Sequence, residues 1–233
     1  MIVRPPKFTV PETKRMSEEN KPNLQQLRVS YELGELNDDD APASPFELFH
    51  GWLDDAITHH LPEPNAMSLA TIGLDGFPNV RTVLLKGVDD KGFRFFTNYD
   101  STKGKELEAN PHAALSFLWT TRQRQVIARG IVKKLPRADA EQYFAVRPYG
   151  NQVGAWASTQ SAIIPDRAWL ESRAESIRSL FPEGQPVPCP ENWGGYILEP
   201  KEIEFWQGRR SRLHDRLRYR SDGGKWLRER LSP

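Results

Sequence analysis

Hydrophobic and polar positions change period several times along this chain, and each change marks an element. Ser44-Pro45-Phe46-Glu47 reads as a helix start: Ser caps, Pro takes the first helical position and Glu47 closes a capping box. Phe46, Phe49, Leu53 and Ile57, with Trp52 alongside, then trace one helical face to about His60. From Met67 the period falls to two. Met67 to Gly73 and Pro78 to Val88 read as strands joined by Leu74-Asp75-Gly76-Phe77, whose Asp-Gly pair signals a hairpin. Asp89-Asp90-Lys91-Gly92 turns the chain into a strand from Phe93 to Asn98. A short helix, Thr102 to Ala109, stops at Asn110-Pro111. Strands His112 to Thr120 and Gln123 to Leu135 follow. Antiparallel strands with short connections predict a barrel or sandwich.

The second half is more helical. A helix is expected from Arg137 to Val146, and a stronger one from Pro165 to Phe181 with Asp166 near its positive end. Gly150 to Ala157 is ambiguous, and Glu183 to Asn192 is a Pro-rich loop. Gly195 to Glu199 with Ile203 to Trp206, Arg212 to Arg220, and Lys225 to Leu231 read as closing strands. Met1 to Asn23 is polar, carries Pro5, Pro6 and Pro11, and lacks a signal-peptide core; it is expected to be disordered or to fold late.

Composition narrows the function classes. The chain has 233 residues, 38% hydrophobic and 27% charged, enough for one soluble domain with appendages. Net charge is +1, against a general nucleic-acid binder. The single cysteine, Cys189, allows no intrachain disulfide and points to a reducing, cytoplasmic setting. No apolar run approaches membrane-spanning length. Glycine-rich dinucleotide and phosphate loops and Cys or His metal spacings are absent, and His50, His59 and His60 read as surface residues.

Charge is nevertheless uneven. Positions 209, 210, 212, 216, 218, 220, 225, 228 and 230 are Arg or Lys, against acids at 215, 222 and 229. Such an excess needs an anionic partner or an acidic neighbour, and Glu32, Glu35, Asp38, Asp39 and Asp40 are one candidate. On a strand, Arg212, His214 and Arg216 would share a face, with Leu213, Leu217 and Tyr219 opposite. An imidazole between two guanidiniums, with Trp206 upstream, suggests a pocket for a planar, phosphorylated ligand. Arg218 and Arg220 read as charges guarding a sheet edge.

Other segments are individually weak. Arg81 and Lys86 flank an apolar strand, where alternation puts them on opposite faces, so one ligand reaching both requires a bulge or a strand end. Phe96 to Lys105 runs from a strand end into a helix start, a possible phosphate cradle. Gln125, Gln160 and Ser161 suit a heterocycle edge. Tyr143, Arg147 and Asn151 recur every four residues, although Pro148 disfavours helix at Arg147.

Taken in order, Arg-x-Val-Leu-Leu-Lys, Phe-x-Thr-Asn-x-x-Ser-x-Lys, Arg-Gln-Val, Tyr-Phe-x-x-Arg-Pro, Gln-x-Gly-Ala-Trp-x-Ser-x-Gln-Ser, Trp-Gly-Gly-Tyr and Glu-Phe-Trp-Gln-Gly…Arg-Leu-His-Asp-Arg closely resemble the pyridoxine (pyridoxamine) 5'-phosphate oxidase family. The likeness runs from about Asn65 to Pro233. It implies an α+β, mostly antiparallel FMN-binding split β-barrel over 41–233, after a flexible N-terminal segment, 1–40, with a possible substrate lid. It implies a homodimer with FMN at the subunit interface. The implied reaction is oxidation of pyridoxine 5'-phosphate or pyridoxamine 5'-phosphate by O2 to pyridoxal 5'-phosphate, with H2O2 and, from the amine, ammonia. The expected chemistry is hydride transfer from the substrate 4'-carbon to flavin N5, with positioning as the main source of rate.

By position, the resemblance assigns Arg81 and Lys103 to the FMN phosphate, with Phe96, Thr97 and Thr102 alongside. Thr82, Val83, Leu84, Leu85 and Lys86 would line the flavin, and Gln125, Gln160, Ser161, Trp206 and Arg216 would complete the cofactor site, partly from the second subunit. Lys86, Tyr143, Arg147 and Asn151 would hold the substrate phosphate. Arg212 and His214, with Leu213, would lie over the substrate ring as the catalytic pair, and Arg28 and Tyr31 resemble lid residues. Three positions depart from the common pattern. Thr102 stands where Arg is usual, with Lys105 or Arg124 as candidate compensation; Asn151 replaces Ser, and Phe96 replaces Tyr. Another flavin enzyme on the same barrel, a ligand carrier, and a nucleic-acid-binding barrel are the competing readings.

Overall fold

The computed structural model describes residues 23–233, so the expectation for Met1 to Asn23 lies almost wholly outside it. Packing divides the chain into Met1–Ser30 and Tyr31–Pro233. In the described part of the first unit, one 3-10 turn, Leu24–Gln26, is capped by the Asn23 side chain, which accepts from the Gln25 N–H. Residues 31–40 belong to the second unit, where the acidic run meets the basic C-terminal strands. Arg210 pairs with Glu32, Arg209 with Glu35 and Arg230 with Asp38.

The second unit is a mostly antiparallel sheet curled around an aromatic core. Its elements are α1 (Pro45–Thr58), β1 (Ala66–Ile72), β2 (Pro78–Leu84), β3 (Gly87–Asp89), β4 (Gly92–Asn98), α2 (Thr102–Ala109), β5 (His112–Trp119), β6 (Arg124–Lys134), α3 (Arg137–Ala145), α4 (Tyr149–Ala157), α5 (Arg167–Leu180), β7 (Trp193–Gln207), β8 (Asp215–Asp222) and β9 (Lys225–Leu231). Strand order is β2-β1-β5-β6-β7-β4-β3, with β8 between β7 and β9. The long β7 makes the sheet branch. Its first half pairs with β4, its second with β8, and β6 runs along both. Arg129 faces Glu202 but Gly130 faces Pro200, so the register shift leaves Lys201 as the extra residue of a bulge on β7. Any Cβ on Gly130 would lie 2.0 Å from the Glu199 carbonyl oxygen, so the close approach requires glycine.

Helix α1 seals the core. Phe49 meets Phe117 at 4.9 Å and Phe93 at 5.0 Å between ring centroids, both edge-on, the arrangement aromatic quadrupoles favour. All three are fully buried, and truncating one such ring typically costs about 3–5 kcal/mol. A smaller cluster, Ala140, Phe144, Val187 and Trp193, fixes α3 against the start of β7 and becomes a wall of the site.

Several expectations are corrected. The buried face of α1 is Phe46, Phe49, Trp52 and Ala56, while Ile57 is 52% exposed. Ser44 makes no side-chain cap bond. The Pro78–Val88 strand breaks at Leu85-Lys86, because Leu85 N–H still donates to Asn65 on the β1 side whereas Lys86 N–H donates to Arg94 on β4. Helix α5 starts after Asp166, which caps Trp169 N–H at 2.8 Å, so Pro165 precedes the cap. The ambiguous Gly150 region is helix α4, and the two segments of 195–206 form one strand.

The largest correction is at the C-terminus. Ser211 and Arg212 have left-handed backbones, φ 56° and 62°, in a 3-10 turn before β8. Arg212 and His214 therefore do not share a strand face with Arg216, and Leu213 is 70% exposed rather than packed inward. Strand β8 is internal, not an edge; Arg218 pairs with Glu229 and Glu202, and Arg220 with Glu229. His50, His59 and His60 are exposed, and no metal-binding cluster exists among the described residues.

Candidate active site

A cavity of about 670 Å³ opens between β2, β4, α2, α3 and α4. Its phosphate-like end is set by α2. Ser101 Oγ caps the helix by accepting from Gly104 N–H at 3.3 Å. Gly104 lets the helix start touch the preceding loop, since a Cβ there would sit 2.0 Å from the Tyr99 carbonyl oxygen. Lys103, one residue earlier, donates from Nζ to Gln160 Oε1 at 2.8 Å, and Thr97 Oγ1 donates to the same oxygen at 3.1 Å. Burial pushes the Lys103 amine below its ordinary value and the Arg81 charge adds to this, while Glu106 opposes it.

Arg81 reaches the cavity from β2. Its Nη2 donates to Glu106 Oε2 at 2.8 Å, and its Nη1 donates to Thr71 Oγ1 and the carbonyls of Leu69 and Asn79. Glu106 is 1% exposed. Burial would raise its carboxyl, but hydrogen bonds from Thr71, Asn79 and Arg81 outweigh that and hold it below the usual carboxylate range.

The other end is aromatic and cationic. Phe96 stacks on Tyr143 at 4.3 Å and on Trp193 at 5.5 Å. Arg147 lies with its guanidinium 4.7 Å from the Trp193 ring centre and 5.5 Å from that of Phe144. Its Nη1 is buried with no hydrogen-bond partner. Lys86 sits 6.0 Å from the Tyr143 ring centre. Burial depresses the Arg147 pKa, though guanidinium stays charged at neutral pH. A buried, unsatisfied guanidinium nitrogen beside a second cation is a site for an anion that the polypeptide does not provide.

A second cluster lies at the β6-β7-β8 rung where Gln125, Trp206 and Arg216 are neighbours in register. Trp206 meets His214 at 4.6 Å, and Tyr31 covers both at 5.7 and 5.6 Å. His214 Nδ1 accepts from the Arg209 N–H at 3.0 Å, which fixes a neutral ring with its proton on Nε2. Partial burial lowers its pKa, the Arg212 charge lowers it further and Asp215 opposes. Arg216 is committed to Glu204 at 2.7 Å and to the Ser232 carbonyl at 2.9 Å.

Arg81, Thr82, Val83, Leu84, Lys86, Phe96, Thr97, Lys103, Tyr143, Arg147, Asn151 and Gln160 thus line one cavity. The strand end after Leu84 brings Arg81 and Lys86 together, and the break at Pro148 still leaves Tyr143, Arg147 and Asn151 on one wall. Tyr31, Gln125, Trp206, Arg212, Leu213, His214 and Arg216 lie outside it. Leu85 is buried in the core, and Thr102 and Ser161 are exposed beside cavity residues without lining it. Arg28 is exposed within the N-terminal unit and donates to the Gln25 carbonyl at 3.2 Å. Arg124 does not stand in for Thr102: it is tied to Asp55 and Gln207 and lies 4.5 Å over Trp52. Sequence reasoning missed Glu106 and gave Trp193 no role. Glu106 carried one available signal, its spacing of three from Lys103 on a short helix.

Two family models together match most of the chain. Residues 53–181 match the pyridoxamine 5'-phosphate oxidase model, and 193–233 match a pyridoxine 5'-phosphate oxidase C-terminal dimerisation region. A pyridoxine/pyridoxamine 5'-phosphate oxidase of Pseudomonas paraeruginosa is 51% identical over 91% of this chain and 99% of its own length. One from Cupriavidus necator is 53% identical over 90% and 99%. Among solved structures, PhzG from Burkholderia lata 383, in complex with tetrahydrophenazine-1-carboxylic acid, is 33% identical with TM-score 0.81, covering 86% of this chain and 99% of that one. An FMN-binding, pyridoxamine 5'-phosphate oxidase-related protein of Nostoc punctiforme shares the fold at TM-score 0.66 and 16% identity, over 83% and 100%. The chain belongs to the pyridoxamine 5'-phosphate oxidase family.

Proposed function

We infer that this protein oxidises pyridoxine 5'-phosphate or pyridoxamine 5'-phosphate to pyridoxal 5'-phosphate, the last step in making that cofactor, using FMN and O2 and releasing H2O2 and, from the amine, ammonia. The observation that carries the reading is the unsatisfied Arg147 Nη1 in a cavity shared with Lys86 and Tyr143. It asks for a second anion besides the one Arg81 and Lys103 would meet. A phosphorylated substrate beside a phosphorylated cofactor fits that demand.

The residues present suit FMN. Arg81 and Lys103 would hold its phosphate, with Thr97 and Gln160 as neighbours, and the apolar Val83 and Leu84 would face the ring. When bound, FMN supplies a two-electron acceptor that O2 can reoxidise. Lys86, Tyr143, Arg147 and Asn151 would grip the substrate phosphate and so orient its ring. His214, neutral and protonated at Nε2, would donate to a substrate oxygen rather than act as a base. The Trp206–His214 cluster shares no lining residue with the cavity, which supports a homodimer in which Gln125, Trp206, Arg212, His214 and Arg216 of one protomer complete the site of the other, with Tyr31 as cover. The dimerisation region over 193–233 carries most of these residues. No helix among the described residues is long and apolar enough to cross a membrane, and the free Cys189 suits a reducing, cytoplasmic setting.

The test is the visible spectrum of the FMN-loaded protein without oxygen. Adding pyridoxine 5'-phosphate should bleach the flavin, and admitting air should restore it. A flavin that stays yellow would leave the barrel standing and remove this substrate in favour of a reductase or a carrier.

A further inference from the structure

Glu106 is the most deeply buried charged group in the site, and direct ligand contact is not its role. Its two carboxylate oxygens accept from Thr71 Oγ1, Asn79 Nδ2 and Arg81 Nη2, donors from β1 and β2, while Glu106 itself rides on α2. Replacing a buried ion pair with apolar side chains is often neutral or stabilising, so stability alone explains little about a carboxylate here. What it does locally is specific. A guanidinium has five N–H groups. Glu106 and the oxygens of Leu69, Thr71 and Asn79 engage Nη1 and one edge of Nη2. That leaves the Nε–H and a remaining Nη2–H uncommitted among the described residues, on a side chain that lines the cavity. Glu106 also sits one helical turn beyond Lys103, the second cation at this end. Two cations held side by side repel, and the residue beside Lys103 on the helix start is the uncharged Thr102. Arg81 and Lys103 are the cations that line this end of the cavity, and each must be well aimed and charged.

We propose that Glu106 is a positioning residue for the cofactor phosphate: its buried carboxylate locks the Arg81 guanidinium with two donors turned to the cavity and offsets the repulsion between Arg81 and Lys103. This rests on the assignment of Arg81 and Lys103 to the FMN phosphate. The groups that face Lys103 are Arg81 from β2, Glu106 from its own helix and the uncharged Gln160. Removing the carboxylate leaves burial and Arg81 unopposed, so Lys103 gives up its proton at lower pH.

Stripped protein titrated with FMN and, separately, with riboflavin, which lacks the phosphate, tests this. Glu106→Gln keeps the side-chain shape and loses the charge. It should weaken FMN about tenfold, the order expected for losing one charged hydrogen bond, and riboflavin less than about twofold. The alkaline loss of FMN binding should begin at lower pH than in wild type, and Glu106→Asp, which restores the charge, should bring that limb back. A purely structural Glu106 would lower both affinities equally, and that result would overturn the proposal. Unchanged FMN selectivity in a folded Glu106→Gln would do the same while leaving Arg81 and Lys103 in place. Wild-type protein that holds riboflavin as tightly as FMN would remove the underlying assignment, and the proposal with it.

Discussion

Two regions of this molecule are rich in cations, and they use them in opposite ways. In the basic C-terminal strands nearly every guanidinium has a carboxylate: Arg209 with Glu35, Arg210 with Glu32, Arg216 with Glu204, Arg218 and Arg220 with Glu229, and Arg230 with Asp38. In the cavity, Lys86 and Arg147 meet aromatic rings instead, and a buried Arg147 nitrogen has no partner at all. The crowd of cations marks internal pairing, whereas the sparser set lines the cavity proposed to receive an anion. Cation density along a sequence is therefore a poor guide; a buried cation without its carboxylate sets off the Arg147 end of the cavity, while at the other end Arg81 keeps Glu106 and still lines the cavity. Two of the C-terminal arginines lack a carboxylate among the described residues: Arg228 donates to the Ala41 carbonyl instead, and Arg212 lies on a left-handed, exposed turn beside the His214 cluster.

The sharpest way to break the contrast is Arg147→Met. A charge-assisted contact to phosphate is worth about 1.5–3 kcal/mol, so KM for pyridoxine 5'-phosphate should rise about 10- to 150-fold. Because the change also deletes an unsatisfied buried group, the thermal midpoint of the ligand-free protein should hold or rise. Steady-state kinetics and a melting curve check both halves; a fall in midpoint with unchanged KM would make Arg147 structural.

His214→Asn should be milder, lowering kcat about tenfold through lost orientation. Its pH signature is more telling. Burial and Arg212 hold the folded pKa below the ordinary 6.5, so the neutral ring is the favoured form. The stability this contributes is complete above 6.5 and is lost as pH falls through the lower folded value. Activity should follow, with an acid limb below 6.5 in wild type that disappears in His214→Asn. A pH profile of kcat/KM that keeps the limb would assign it to another group.

How much of this was legible in advance varies with the kind of signal. Period-two and period-3.6 patterns located almost every element, because side-chain burial writes them directly; the Thr102–Ala109 helix coincides at both ends. Alternation failed at Arg212, where two left-handed residues break the strand, and nothing in Ser211-Arg212 announces positive φ the way Gly does. At Lys86 the requirement for a bulge or a strand end is met by the strand end, a long-range event set by Asn65 and Arg94. The ordered motifs identified the family, but the spacing of Glu106 from Lys103 was too weak a signal, since a Glu on a short polar helix reads as solvated until the fold buries it to 1%.

The smallest expected effect completes the comparison from the other side. Arg230 donates to Asp38, to Asp215 and to the Leu36 carbonyl at 2.7 Å, tying residues 36–38 to β9. Exposed ion pairs contribute little, and Arg230 is partly exposed, so Arg230→Met should cost only about 1 kcal/mol. In a chain of this size that lowers the melting midpoint by about 2–4 °C. KM and kcat should stay within about twofold, because the lost charge had a protein partner and no ligand. A large rise in KM would mean that these paired cations also serve the substrate, and the line between the two regions would have to be redrawn.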